Sequence, residues 1–120
     1  MLNLNSGDSM NKTNLSNDKC GSCNNLTPVL SPSQRLELQT QLQGWSIVEG
    51  HHLQKRWSFK NFAKPLKFVL AISELAEKEG HHPNINFGWG YVELTLWTHA
   101  INGLSRNDFV LAAKIDNLLK

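Results

Sequence analysis

Cysteine is nearly absent from this chain: Cys20 and Cys23 stand alone in the run Cys20-Gly21-Ser22-Cys23. A tetrahedral structural zinc site needs four ligands, and no second cysteine pair exists to complete one. A redox pair of the thioredoxin type belongs at the start of a helix that follows a strand. This run lies among Asn, Ser and Gly with no strand before it, so it is read as two reduced thiols near the edge of the fold. Long apolar runs are missing too, and nothing approaches the length of a membrane span. Neither sign of charge dominates. The net charge of +2, with Lys and Arg scattered, excludes the footprint of a nucleic-acid or anionic-membrane binder. The N-terminus has neither the basic start nor the apolar stretch of a secretory signal, so a cytoplasmic protein is expected. A chain of 120 residues has room for one domain with a real core and little more.

Residues 1–25 are rich in Asn, Ser, Asp and Gly and lack apolar periodicity, which is read as a flexible tail ahead of a single domain over residues 26–120. Ser31-Pro32-Ser33 gives an N-cap and a proline suited to a first helical turn. Leu36, Leu38 and Leu42 mark a short helix expected to end at Gly44. Trp45 to Glu49 reads as a strand, with a turn near Gly50-His51. Leu53, Lys55, Trp57 and Phe59 then alternate with Gln54, Arg56 and Ser58, the period of a half-buried strand.

Asn61 is a candidate cap for a second helix with Phe62, Leu66, Val69, Ile72 or Ser73, and Ala76 on its apolar face. That helix should end near Gly80, which can take the left-handed conformation that closes helices. Ile85, Phe87 and Trp89 form the next alternating set, with Gly90-Tyr91 as a two-residue hairpin loop. On the return strand Val92, Leu94, Leu96 and Thr98 face one side. Tyr91, Glu93, Thr95, Trp97 and His99 face the other. Ser105-Arg106-Asn107-Asp108 opens a third helix in the manner of a capping box, carrying Phe109, Ala112, Ala113, Ile115 and Leu119. The order α-β-β-α-β-β-α predicts an α+β domain: a four-stranded antiparallel sheet with three helices on one face.

What the chain does have is a concentration of imidazole, the side chain best suited to moving protons near neutral pH. His81 and His82 follow the end of the second helix, and Pro83 pushes His82 into extended backbone. His99 sits at the far end of the return strand, which in an antiparallel hairpin lies beside the start of its partner. Secondary structure alone therefore predicts that His81, His82 and His99 converge. The pair His51-His52 falls in the first hairpin turn and is expected to be solvated.

The run Glu77-Lys78-Glu79-Gly80-His81-His82-Pro83, with Trp89, His99 and Asp108 after it, resembles the pattern of the pterin-4a-carbinolamine dehydratase family: an acid, three residues, His-His-Pro, an aromatic, a distant His after a strand, and an Asp near the last helix. The resemblance extends from about Leu36 to Leu119. It implies the same four-stranded fold and a lyase that removes water from a 4a-hydroxytetrahydropterin to give the quinonoid dihydropterin. That step recycles the tetrahydropterin cofactor of aromatic amino acid hydroxylases and needs no metal, nucleotide or covalent intermediate. The resemblance implies His81 and His99 as the acid–base pair, with His82 as the binding and polarising partner. It assigns substrate contacts to Thr98, through its backbone, and to Asp108, which would accept from substrate or hold His99 in one tautomer. Glu77 is expected to serve as a partner at the helix end. A homodimer or homotetramer is also implied, without nucleic-acid or membrane partners.

Three positions depart from the family pattern: Gly80 before the His pair, Asn84 after Pro83, and the apolar run Ala100-Ile101-Asn102 after His99. They bear on fine substrate contacts and leave the reaction class in place. Two rival readings follow from the same residues. His81, His82 and His99 could form a three-His zinc centre, although adjacent histidines on extended backbone diverge. Alternatively, the chain could be a non-catalytic partner that stabilises dimers of another protein, such as a transcription factor.

Overall fold

The computed structural model of the chain describes residues 15–21, 24 and 26–119. Helix α1, Pro32–Gln39, starts at a reciprocal cap: the Ser31 hydroxyl accepts from the Gln34 amide, and the Gln34 side chain accepts from the Ser31 amide. The helix stops at Thr40 rather than Gly44. The Thr40 hydroxyl bonds the Glu37 carbonyl at 2.6 Å, and tighter turns follow at Gln41 and Leu42. Leu38 is buried and Leu42 packs against the core, while Leu36 faces solvent.

Strand β1, Ser46–Val48, turns through Glu49 and Gly50, both at positive φ, into β2, His52–Ser58. Trp45 lies just before β1, buried, with its indole N–H on Asp116 at 3.0 Å. Helix α2, Ala63–Glu79, is capped one residue early by Asn61, whose side-chain oxygen accepts from the Lys64 amide at 2.9 Å. Its buried face is Pro65, Phe68, Ile72 and Ala76. The expected face is thus rotated: Phe62 and Leu66 are exposed, and Phe68 packs edge-on against Trp57 at 5.0 Å.

Strands β3, Asn84–Gly88, and β4, Tyr91–Leu96, are joined by Trp89-Gly90, with Gly88 paired to Tyr91. The loop is therefore one residue earlier than the Gly90-Tyr91 expectation. Gly90 at φ 82° packs so closely that an added Cβ would lie 3.2 Å from the Phe59 carbonyl. The shift leaves Trp89 out of the sheet alternation and 69% exposed.

The sheet order is β1-β2-β4-β3, antiparallel throughout. Leu53, Val92, Leu94 and Leu96 present a fully buried face to Ile72, Phe109, Leu111 and Ile115. Helix α3, Arg106–Asn117, follows a 3₁₀ turn at His99–Ile101. It supplies the buried Phe109, Ala112 and Ile115, whereas Leu119 lies exposed past its end. The observed architecture is the α+β fold expected: a four-stranded antiparallel sheet with three α-helices in the order α-β-β-α-β-β-α.

Within the stretch read as tail, Leu15–Asn17 forms a 3₁₀ turn whose Leu15 is buried in the core. Cys20 packs beside it, its amide on the Glu79 carboxylate at 3.1 Å; Cys23 lies outside the described residues. Among the described residues no helix is long and apolar enough to cross a membrane.

Candidate active site

His81 owes its position to the way α2 ends. Gly80 adopts φ 67°, and the amides of Gly80 and His81 both close on the Ala76 carbonyl. A left-handed residue followed by a six-to-one bond is the usual device for turning a chain out of a helix. The chain then enters β3, where Asn84 pairs with Thr95. Carried three residues further, that register sets His81 across from Thr98.

Asp108, in the first turn of α3, reaches both. Its Oδ1 accepts from His81 Nε2 at 2.6 Å. Its Oδ2 accepts from the Thr98 hydroxyl at 2.8 Å and from the Ser105 amide at 2.9 Å. The carboxylate is 0% exposed, with Thr98 and Ser105 buried and His81 only 7% exposed. A carboxylate in such a place must be met by donors, because an unpaired buried charge is strongly destabilising. The donors here are complete, and the N-terminus of α3 adds its favourable dipole.

The proton positions follow from this arrangement. Ionised carboxylate oxygens only accept, so His81 carries its proton on Nε2 and the Thr98 hydroxyl donates to Asp108. The Ser105 hydroxyl, 2.7 Å from that of Thr98, then donates to Thr98. His81 Nδ1 has no partner among the described residues and is not sealed from solvent. It is the nitrogen left to exchange a proton with a ligand.

The other predicted residues sit differently. His82 is exposed and bonds the exposed Glu77 carboxylate through Nε2 at 2.5 Å. His99 opens the 3₁₀ turn, exposed, with its ring stacked on Trp97 at 4.3 Å between centroids and 30° between planes. The backbone of Thr98 is engaged with the loop after it: its amide bonds the Gly103 carbonyl at 2.8 Å, and its carbonyl accepts from Gly103 and Ile101. Asp108 holds His81 rather than His99. The register gathers His81, His82 and His99 at one end of the β3–β4 hairpin. Among the described residues, no hydrogen bond or ring contact joins one of these imidazoles to another. Trp89 sits at the opposite end of that hairpin.

Sequence reading gave Ser105 only as a helix cap, without its hydroxyl contact to Thr98, and missed the contacts of Trp97 and of the His51 turn. His51 is not simply solvated: it bonds Asn102 at 2.8 Å, lies 3.1 Å from His52 between Nδ1 atoms, and packs on Trp97 at 5.3 Å. The Ser-x-x-Asp spacing was a signal for Ser105. No signal pointed to the others, which depend on β2 lying beside β4. Among the described residues, no group of three or more His, Cys, Asp and Glu side chains is arranged to hold a metal ion.

Comparison with known proteins matches residues 28–118 to the family model described as pterin 4 alpha carbinolamine dehydratase. A relative of that name from Rubrobacter xylanophilus is 45% identical over 104 residues, covering 87% of this chain and 97% of the relative. Another from Alkaliphilus metalliredigens is 46% identical over 104 residues, covering 86% and 94%. Among solved structures, a transcriptional coactivator/pterin dehydratase from Brucella melitensis superposes with a TM-score of 0.73 at 30% identity, over 78% of this chain and all of that one. A pterin dehydratase-like protein identified as a RuBisCO assembly factor in the alpha-carboxysome superposes with a TM-score of 0.54 at 36% identity, over 63% and 89%.

Proposed function

The chain belongs to the pterin-4a-carbinolamine dehydratase family, and on that footing we propose that it removes water from a 4a-hydroxytetrahydropterin by histidine acid–base catalysis. In this reaction the 4a-hydroxyl takes up a proton and leaves as water. The N5 proton goes to a base, and the electrons of the N5–H bond close the C4a=N5 double bond of the quinonoid dihydropterin. One proton is delivered and one removed, with no change of oxidation state.

His81 is the base that takes the N5 proton at Nδ1. Asp108, bonded to Nε2 on the opposite side of the ring, stabilises the imidazolium that results and holds the tautomer that can accept. His99 delivers the proton to the departing hydroxyl, and His82, oriented by Glu77, binds and polarises the substrate. Thr98 acts by positioning, through Asp108 on its side chain and His99 next to it in the chain. Asp108, already fully engaged and shielded from solvent, is a positioning residue too. The observation that carries this reading is the buried His81–Asp108–Thr98 chain, a satisfied network that leaves one imidazole nitrogen open.

An aromatic amino acid hydroxylase using tetrahydropterin would supply the substrate, and a homo-oligomer is the expected assembly. The assembly-factor relative keeps a second reading in view, that of a protein-binding role. It would survive loss of His81, whereas dehydration would not. The test follows the decay of enzymatically generated 4a-hydroxytetrahydropterin by ultraviolet absorbance. Wild type should accelerate it, and His81→Ala should lose about 10²–10⁴-fold. A folded wild type that leaves the decay at its spontaneous rate would overturn the proposal.

A further inference from the structure

We infer that Trp97, braced by His51, is a positioning residue that sets the plane of the His99 imidazole; the inference rests on the dehydratase reading above and extends it. His99 is exposed and makes no hydrogen bond through its ring among the described residues. Its stack on the Trp97 indole, at 4.3 Å and 30°, is therefore the contact that fixes its orientation. A near-parallel stack restrains the ring to a plane while leaving both nitrogen edges free. That property suits a proton donor.

The indole is itself held. The β2–β4 register pairs Leu53 with Leu96, and one step further it sets His52 across from Trp97. The His51 and His52 rings lie 5.3 Å and 6.2 Å from the indole. His51 Nε2 bonds the side-chain oxygen of Asn102 at 2.8 Å. That oxygen only accepts, so His51 carries its hydrogen on Nε2. Its Nδ1 lies 3.1 Å from His52 Nδ1, within hydrogen-bond reach. Asn102 closes the 3₁₀ turn that begins at His99, its amide returning to the His99 carbonyl at 3.2 Å. The first hairpin thus ties down the turn that carries His99, on the side away from the buried Thr98–Asp108–His81 chain.

The experiment compares kcat and KM for wild type, Trp97→Phe, Trp97→Leu, His99→Ala and the Trp97→Leu/His99→Ala pair, with folding checked by circular dichroism. The ring-proton shifts of His99 are recorded alongside by NMR. Misplacing a catalytic group by an ångström costs about 10²-fold, so Trp97→Leu should lower kcat by roughly 10- to 100-fold with little change in KM. Trp97→Phe, which keeps a stacking face, should recover most of the loss. The double variant should be no slower than His99→Ala alone, because the two residues act as one unit. The His99 ring protons should lose their upfield displacement in Trp97→Leu. His51→Ala, a milder change, should lower kcat in the same direction.

A folded Trp97→Leu with wild-type kcat would overturn the inference. So would a double variant in which the Trp97 loss is added in full to that of His99→Ala. If wild type shows no dehydratase activity, the functional reading falls, and the NMR comparison still decides the positioning: unchanged His99 shifts in Trp97→Leu would contradict it.

Discussion

Asp108 divides its two oxygens between two tasks. Oδ2 accepts from the Ser105 amide, as the helix-capping pattern requires, and Oδ1 holds His81. Capping and a contact to His81 are often weighed as alternatives for a first-turn acid; here one carboxylate makes both because the α3 N-terminus abuts the end of β4. Thr98 is the third element of the arrangement, donating to Oδ2 and receiving from Ser105. Thr98→Val keeps the shape and removes the hydroxyl, leaving two buried partners short of a bond. The expected cost is about 1–3 kcal/mol, read as a fall in the denaturant midpoint at unchanged slope. A midpoint equal to that of wild type would show that the hydroxyl carries no such load. At this scale, Ser105-x-x-Asp108 and the His-His-Pro run were legible in the sequence. The partner of Asp108 was not, because it lies 27 residues away across the fold.

Helix α2 shows what periodicity settles and what it leaves open. Its existence, its Asn61 cap and its Gly80 stop could all be read from local chemistry. Its buried face could not, because apolar residues occur nearly all round it and Pro65 counts as one of them. The structure chooses Phe68 and Ile72 and leaves Leu70 57% exposed. Ile72→Ala should therefore cost about 2–5 kcal/mol, and Leu70→Ala less than about 0.5 kcal/mol. Thermal or denaturant unfolding of the two variants checks the ranking, and equal losses would mean that the face is misassigned. The β3–β4 loop carries a similar lesson. A Gly at either central position is compatible with a two-residue turn, so composition alone left the register one residue uncertain, and that residue decides whether Trp89 lies in the sheet.

For the whole molecule, the order of elements and the α+β class were readable because each hairpin announces itself by alternation. The neighbour relation β2 to β4 was not, since strand patterns carry no address for their partners. That relation brings the His51 turn beside Trp97 and gives His99 its surroundings. Leu15 was equally hidden: one apolar residue in a polar stretch has no period, yet it packs into the core. The assembled fold presents a buried acid behind one histidine and an indole beneath another, at the same end of one hairpin. The most direct test is the rate of dehydration of enzymatically generated 4a-hydroxytetrahydropterin by wild type and by a folded Asp108→Asn variant. Asparagine keeps the size and removes the charge that would stabilise the His81 imidazolium. The account predicts a loss of about 10²–10⁴-fold in kcat. A variant as fast as wild type would contradict the role given to the buried pair.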